Sequence, residues 1–511
     1  MPTRELISVL PEAILTLAAT AVMLLAAFLR ARREAWCAGV ALFGLAAAMI
    51  SLLWQTPPQP PAFNDMIRVD PFSMFFHLLF LGTAVLIVLS SASYLRRERL
   101  PAGEFYALLL FATAGMGLMA ASNDLVLGFI GLEISSLSSY VLAGFRRHVA
   151  TSSESALKYF LLGSFATAFL LYGIALMYGA MGTTRITTIQ AILRGGLNPI
   201  TAQNLAGEAL AGSAVLEPVA AQAGRSVPAA LLALSIGLIF VGLAFKISAA
   251  PFQVWTPDVY QGAPTPVTAF LSTGAKAAAF ALFLRIFFVA LDSALYPWPA
   301  LIWACGVLSM FVGNLAALWQ SNLKRLLAYS SIAHAGYMLV AFTANSADGV
   351  AAVMFYLVAY TLMNLGAFVV VTHLGNQGER YVEVTDYAAL GYRSPLLAGC
   401  LSIFLLSLIG IPLTAGFLGK FYAFRAAVQA DLIGLVVLAV LNSAIASYYY
   451  LRILVTMYMS PAEREVPIEP ASAALRWVLG LCAAGTLLLG FWPRPVLAFA
   501  ISAAQWLQGT R

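Results

Sequence analysis

Apolar runs of about 20 residues recur along this chain from one end to the other, and each is long enough to cross the hydrocarbon core of a bilayer as a helix. Read in order, they give fourteen spans: 5–29, 36–54, 71–92, 104–121, 124–145, 154–181, 229–249, 264–290, 299–319, 322–343, 347–374, 396–428, 432–458 and 473–492. Lipid offers a backbone amide no hydrogen-bond partner, so a chain with this pattern is confined to helices that satisfy their own backbone. Composition agrees: 61% of the residues are hydrophobic and only 10% are charged, against about 25% charged in a soluble protein. No stretch between the runs would hold a sizeable soluble domain, so residues 1–511 read as one all-α, polytopic transmembrane domain.

The net charge of +6 does not form a patch on one amphipathic element. The basic residues sit in short clusters between spans: RARRE (30–34), RRER (96–99), FRRH (145–148) and LKR (323–325). These follow the first, third, fifth and ninth spans and therefore share one side, which the positive-inside rule makes cytoplasmic. An even number of spans then puts both termini on the outer, periplasmic side. The charge is an orientation signal and argues against nucleic acid as a partner. Arg30, Arg32 and Arg33 follow the first apolar run instead of preceding it, so that run reads as a retained span and not a cleaved signal. Cys37, Cys305, Cys400 and Cys482 lie far apart in apolar runs, without metal or disulfide spacing, and read as small hydrophobes. GMGLMA (115–120) matches a dinucleotide fingerprint, but it lies inside a span with no strand before it, so its glycines serve helix packing.

Two spans are interrupted. LAFKISAAPFQVWTPDVYQGAPTP (243–266) places Pro251, Pro257, Pro264 and Pro266 just after an apolar run, and SLIGIPLTAGFLGKFYAF (407–424) carries Gly410, Pro412, Gly416 and Gly419 within one. Proline removes a backbone donor and clashes with the preceding turn, so both helices should unwind locally. Unwound backbone at membrane depth survives only inside protein or beside water. The breaks fall in the seventh and twelfth spans. That spacing predicts two five-helix repeats, 104–290 and 299–458, the second inverted in the membrane, after three N-terminal helices (1–103) and before a C-terminal helix (459–511). The segment 183–228 is the longest polar insertion and offers no chemistry. Residues 375–395 read as a cytoplasmic connection.

Charge inside the spans is sparse: Glu133, Lys246, Lys276 and Lys420, with Lys158 near a helix entrance. A charge at the bilayer centre costs about 2.5–3.5 kcal/mol on insertion scales, so each needs a partner or water, and such residues mark ion pathways. Glu133 shares a helical face with Ser136 and Tyr140. It is either a locally hydrogen-bonded acid or part of a pathway. Lys246 precedes Pro251 by five residues and could be solvated by carbonyls freed at the break, or could snorkel to the interface. Lys276 stands among small residues that leave room for water, and Lys420 follows the second break, flanked by glycine. Lys158 has Glu154 four residues before it, a favourable helical pair. His334 either relays protons or hydrogen-bonds in the core. Glu12 is expected at the outer interface, and His77, His148 and His373 show no supporting constellation.

The stretch AFKISAAPFQVWTPDVYQGAPTPVTAFLSTGAKAAAFALFLRIF (244–287) resembles the signature region of the antiporter-like subunits of respiratory complex I, and PFQVWTPDVYQGAPTPVTAFLS within it is most similar to the N type. NLKRLLAYSSIAHAGYMLVAF (322–342), GIPLTAGFLGKFYAF (410–424) and GLEISSLSSYVLAGFRR (131–147) extend the resemblance over nearly the whole chain. It implies a 14-helix bundle with inverted five-helix repeats and a proton-translocating membrane subunit of an NADH-quinone oxidoreductase, a translocase of the respiratory chain. On that resemblance Glu133 partners Lys246, Lys276 is the central relay, and Lys420 lies near the outer exit. Lys158 matches a sixth-helix lysine of less defined role. The end at Arg511 is expected to exclude the L type, which continues into a long lateral helix. The resemblance also implies no cofactor on this chain: NADH, FMN, iron–sulfur clusters and quinone belong to partner subunits. Its partners would be neighbouring antiporter-like and small membrane subunits in a bacterial inner membrane. The competing expectation is a subunit of a multisubunit cation/proton antiporter, with the same fold and no quinone chemistry.

Overall fold

The computed structural model describes residues 2–28, 33–194, 229–291, 298–462 and 466–509. Arg30 and Arg32 of the first basic cluster, and most of the 183–228 insertion, lie outside the described residues. What is described is helical throughout, with only isolated bridges between extended residues. Among the described residues thirteen helices are long and apolar enough to cross a membrane. The remaining expected crossing, the twelfth (396–428), is present as two shorter helices, Pro395–Ile409 and Ala415–Gln429. The chain is a multi-pass membrane protein.

Local chemistry sets the ends of the spans. Asp70 starts the third (Pro71–Arg97) by accepting from the Ser73 amide, with proline in the first turn. Asp124 starts the fifth (Leu125–Ala143) by accepting from the Val126 and Leu127 amides. The seventh stops at Lys246, earlier than the expected residue 249, and Ser248 turns the backbone to φ +62° before Pro251. The irregular stretch is satisfied by its neighbours. Ser309 Oγ accepts from the Ala250 amide at 2.8 Å, and Trp255 Nε1 donates to the Phe245 carbonyl at 3.0 Å. A short helix, Thr256–Gly262, follows before the eighth span, Thr265–Ala290.

The break in the twelfth span has a different cause. Gly410, at φ +92°, ends the first half, and its amide donates to the Leu406 and Ser407 carbonyls. Gly416 lets the second half start hard against the first, since a Cβ there would sit 1.9 Å from the Ser407 carbonyl oxygen. The glycines of GMGLMA are close-packing sites as expected. A Cβ on Gly115 would lie 2.6 Å from the Gly131 carbonyl oxygen of the fifth span.

The core is at the centre of the bundle, where the eighth, tenth (Leu323–Thr343) and eleventh (Ala347–Leu374) spans are 94%, 94% and 89% buried. The first, thirteenth and fourteenth are each 33% buried and, with the second and sixth, turn large apolar side chains such as Trp54, Phe165, Tyr448 and Trp477 outward, as a lipid-facing surface requires. A further helix, Arg494–Gly509, was not expected from sequence. It packs Phe499 against Phe75 of the third span at 5.3 Å and buries Ala500, Ala503 and Ala504.

A buried lysine series and a charged rim

Of the predicted residues the central spans carry Lys276 on the eighth and His334 on the tenth, whereas Glu133 comes from the fifth span and Lys246 and Lys420 from the two broken ones. Lys246, the last residue before the first break, donates to Ser136 Oγ at 2.7 Å and to Tyr140 Oη at 3.1 Å. Its ammonium also lies 5.1 Å from the Tyr140 ring centre and 5.5 Å from that of Tyr159. Of the two alternatives for Lys246, freed carbonyls or the interface, its hydrogen bonds show neither: the polar stripe of the fifth span receives the lysine. Glu133, one turn before Ser136, makes no ion pair with Lys246 within 4.0 Å among the described residues, and its Oε1 is buried without a hydrogen-bond partner. The two charges interact through the field and not through contact.

Lys276 is 1% exposed and stands directly after a π-helical turn, Leu271–Ala275. π-Turns are frequent at functional sites because they re-aim the side chains that follow. Its Nζ donates to the Ser331 carbonyl at 2.9 Å and to Ser331 Oγ at 2.5 Å, so one residue of the tenth span holds it twice. His334 follows Ser331 by three residues on the same face. Its Nδ1 is 2.8 Å from Tyr356 Oη and its Nε2 3.3 Å from Tyr450 Oη, and Tyr450 also bonds Ser330. The charged groups that act on His334 are Lys420 and Lys276. Lys420, 5% exposed, donates to the Ile409 carbonyl and to Ser443 Oγ, both at 2.8 Å, and lies 4.7 Å from the Tyr337 ring centre. Here a carbonyl released by a break does solvate a lysine.

Lys158 lies apart from this series. It is 41% exposed and pairs with Glu154 at 2.7 Å, as its spacing predicts, and with Asp258 at 2.6 Å, which Arg325 also holds at 2.6 Å. Beside them is a second group that sequence reasoning missed. Glu379, in the 375–395 connection, is bound by Lys324 at 2.8 Å, Arg146 at 3.3 Å, Tyr94 Oη at 2.8 Å and the Thr265 amide at 2.7 Å. Burial alone would push the Glu379 carboxyl up, but Lys324 and Arg146 outweigh it and hold it down at about 2. The Asp258 carboxyl is likewise held below its usual range, against burial, by Lys158 and Arg325. The two groups line a cavity of about 400 Å³. They tie the ends of the third and fifth spans to the starts of the eighth and tenth, so the basic clusters from 96–99, 145–148 and 323–325 share one face.

Three more buried charges escaped the sequence reading. Arg285 of the eighth span holds Asp70 in a two-pronged pair at 2.8 and 3.0 Å. Lys324 is 1% exposed. Glu12, expected at the interface, is 6% exposed and lies 2.7 Å from His77, which sequence gave no partner. An acidic residue just before proline (Asp70–Pro71) was a readable helix-start signal, but the partners lie 65 and 215 residues away in sequence. Only folding joins them. Among the described residues no three His, Cys, Asp or Glu side chains converge as a metal site.

Fold and site together define a polytopic bundle that threads lysines, serines, tyrosines and a histidine between two broken helices, the form of an ion-translocating membrane subunit. Residues 122–446 match the family model described as "NADH:quinone oxidoreductase/Mrp antiporter, TM". NADH-quinone oxidoreductase subunit N 1 of Solibacter usitatus is 47% identical over 97% of this chain and 96% of its own length. Subunit N 2 of Koribacter versatilis is 46% identical over 99% and 98%. A chain of respiratory complex I from Thermus thermophilus superposes with a TM-score of 0.77 at 38% identity, covering 96% of this chain and 99% of that one. A chain of the Mrp complex from Dietzia, at 20% identity and a TM-score of 0.75, shares the fold. The chain belongs to the NADH-quinone oxidoreductase subunit N family.

Proposed function

We propose that this proton-translocating membrane subunit of an NADH-quinone oxidoreductase moves protons along Lys246, Lys276, His334 and Lys420, with Glu133 setting the charge on Lys246. The observation that carries this reading is the placement of Ser331 and His334, three residues apart on one helix face: the first holds Lys276, and the second reaches Tyr356 and Tyr450 on the side of Lys420. Hydroxyls and imidazole both donate and accept, so each step can pass a proton without leaving a buried group unpaired. Because Glu133 acts on Lys246 without contacting it, a small movement of either changes how firmly the lysine holds its proton. At an effective dielectric of 20, unit charges 4 Å apart interact by about 4 kcal/mol. Glu133 and Lys246 lie farther apart than this, so bringing them into contact would add part of that energy, of the order of the 2.3 kcal/mol needed to move one charge across 100 mV.

The rim cavity beside the first break is the water-facing mouth of this path, with Lys158, Asp258 and Arg325 at its edge. Its basic residues support a cytoplasmic orientation for that face, and so an outer location for both termini in a bacterial inner membrane. The two breaks, five spans apart, support reading 104–290 and 299–458 as inverted five-helix repeats. The partners are other membrane subunits of complex I. We place NADH, FMN, the iron–sulfur clusters and quinone on partner subunits, so that this chain contributes proton transfer and no redox centre. Lys246→Met and Glu133→Gln should each depress NADH-driven proton pumping in a complex whose assembly is verified by its subunit content. Pumping at the wild-type ratio in both variants would overturn the assignment.

A further inference from the structure

Among the described residues Glu12 and His77 share no hydrogen bond or ion pair with the lysine series, and the function proposed above makes no use of them. Both face inward near the start of their helices, in the first (Leu10–Phe28) and third (Pro71–Arg97) spans, on the face opposite the basic rim. Gly117 of the fourth span (Ala102–Ala121) closes the third side. A Cβ there would lie 2.6 Å from Glu12 Oε1 and 2.9 Å from His77 Nε2, so no larger residue fits. His77 Nδ1 lies 2.7 Å from the Ser73 carbonyl oxygen. A carbonyl can only accept, so Nδ1 carries a proton in every state of the pair. The 2.7 Å contact from Nε2 to Glu12 Oε1 must then contain one further proton, written either as imidazolium and carboxylate or as neutral imidazole and carboxylic acid. Without it, the Nε2 lone pair would face a carboxylate inside the bundle. Glu12 Oε2 is buried and has no hydrogen-bond partner, which leaves one oxygen from which that proton can be exchanged.

The other charges near the pair are already committed. Asp70, at the start of the third span, is held by Arg285 of the eighth. Gly117 brings none from the fourth span, and the C-terminal helix meets the third through Phe499 and Phe75. We propose that Glu12 and His77 form a binding site for a single proton, separate from the lysine series, whose occupancy holds the first span on the third and fourth. Loaded, the pair is neutral. Empty, it is a buried negative charge with a repelled lone pair, and the contact weakens.

The test uses the membrane-embedded complex with isotope-labelled histidine and glutamate, followed by infrared difference spectroscopy as pH is raised. The expected result is one proton lost with a single midpoint, seen together in the His77 ring bands and the Glu12 carboxyl bands. Glu12→Gln should abolish both signals. His77→Lys keeps the charge pairing needed for assembly and should abolish the coupled signal while leaving subunit content intact. Separate midpoints for ring and carboxyl, no change in either, or a His77 signal that persists in Glu12→Gln would each overturn the proposal. Lys276→Met should leave the signal intact, which keeps this test independent of the lysine series.

Discussion

At the break in the seventh span Lys246 is held by two hydroxyls of the fifth, with Glu133 one turn away on the same face. At the break in the twelfth Lys420 is held by the Ile409 carbonyl that the break itself releases, and by Ser443. The first break sits beside a carboxylate and next to the ionic rim, where Glu379 caps the Thr265 amide. Among the described residues, the second has no acidic group bonded to its lysine. On the proposed function the difference separates two tasks. A lysine opposed by a non-contacting carboxylate responds to small displacements, because its partner's field changes with distance. A lysine solvated by fixed backbone has its charge stabilised in place. On the proposed reading the first break is the responsive end and the second the release end.

The comparison can be broken at several points. The largest effect is expected at the rim that anchors the first break. Glu379→Gln leaves Lys324 and Arg146 facing a neutral amide, and should destabilise the subunit by about 3–5 kcal/mol, measured by thermal loss of assembled complex. The same group sets an acid limit with a definite sign. Its carboxyl is depressed from 4.5 to about 2, so its contribution is fully present above about pH 4.5 and is lost as pH falls through about 2. An acid melting series should show that loss in the wild type and not in Glu379→Gln.

Next come the turns themselves. Gly410→Ala places a side chain at φ +92°, with its Cβ 3.1 Å from Lys420 Cδ, and should cost about 1–2 kcal/mol while displacing the lysine. Ser248→Gly, at φ +62° in the first break, relieves a left-handed conformation and should be neutral or stabilising by up to about 1 kcal/mol. Equal destabilisation by both would show that the breaks are built alike. Lys246→Met and Lys420→Met should each slow pumping by about tenfold, equivalent to about 1.4 kcal/mol. Only the loss at Lys246 should be reproduced by neutralising a carboxylate, in Glu133→Gln. Ser136→Ala and Ser443→Ala should cost less than the lysine changes, about 1 kcal/mol each, because in both cases a second acceptor stays on the lysine.

Much of this architecture was legible in the sequence, because lipid restricts backbone to helix and makes hydrophobic length a direct readout of span number. The unpaired carboxylate and lysines stood out for the same reason. What held them was not legible. The stripe Glu133–Ser136–Tyr140 was visible as a face, but that it would receive Lys246 depends on a contact 110 residues away. Likewise the Glu379 hub gathers groups from five segments of a chain in which each one alone looks like an ordinary loop or interfacial charge. The helix Arg494–Gly509 escaped because a proline and small residues interrupt its apolar pattern, and packing on the third span, not length, stabilises it. Local pattern names the parts, and tertiary contact decides which part solvates which.

The central claim is that the two breaks are ends of one conducting series, and Lys276 is its middle. The direct measurement is the ratio of protons translocated to electrons transferred in liposomes bearing assembled complex with Lys276→Met. The account predicts that assembly persists and the ratio falls. An unchanged wild-type ratio in a fully assembled complex would contradict it.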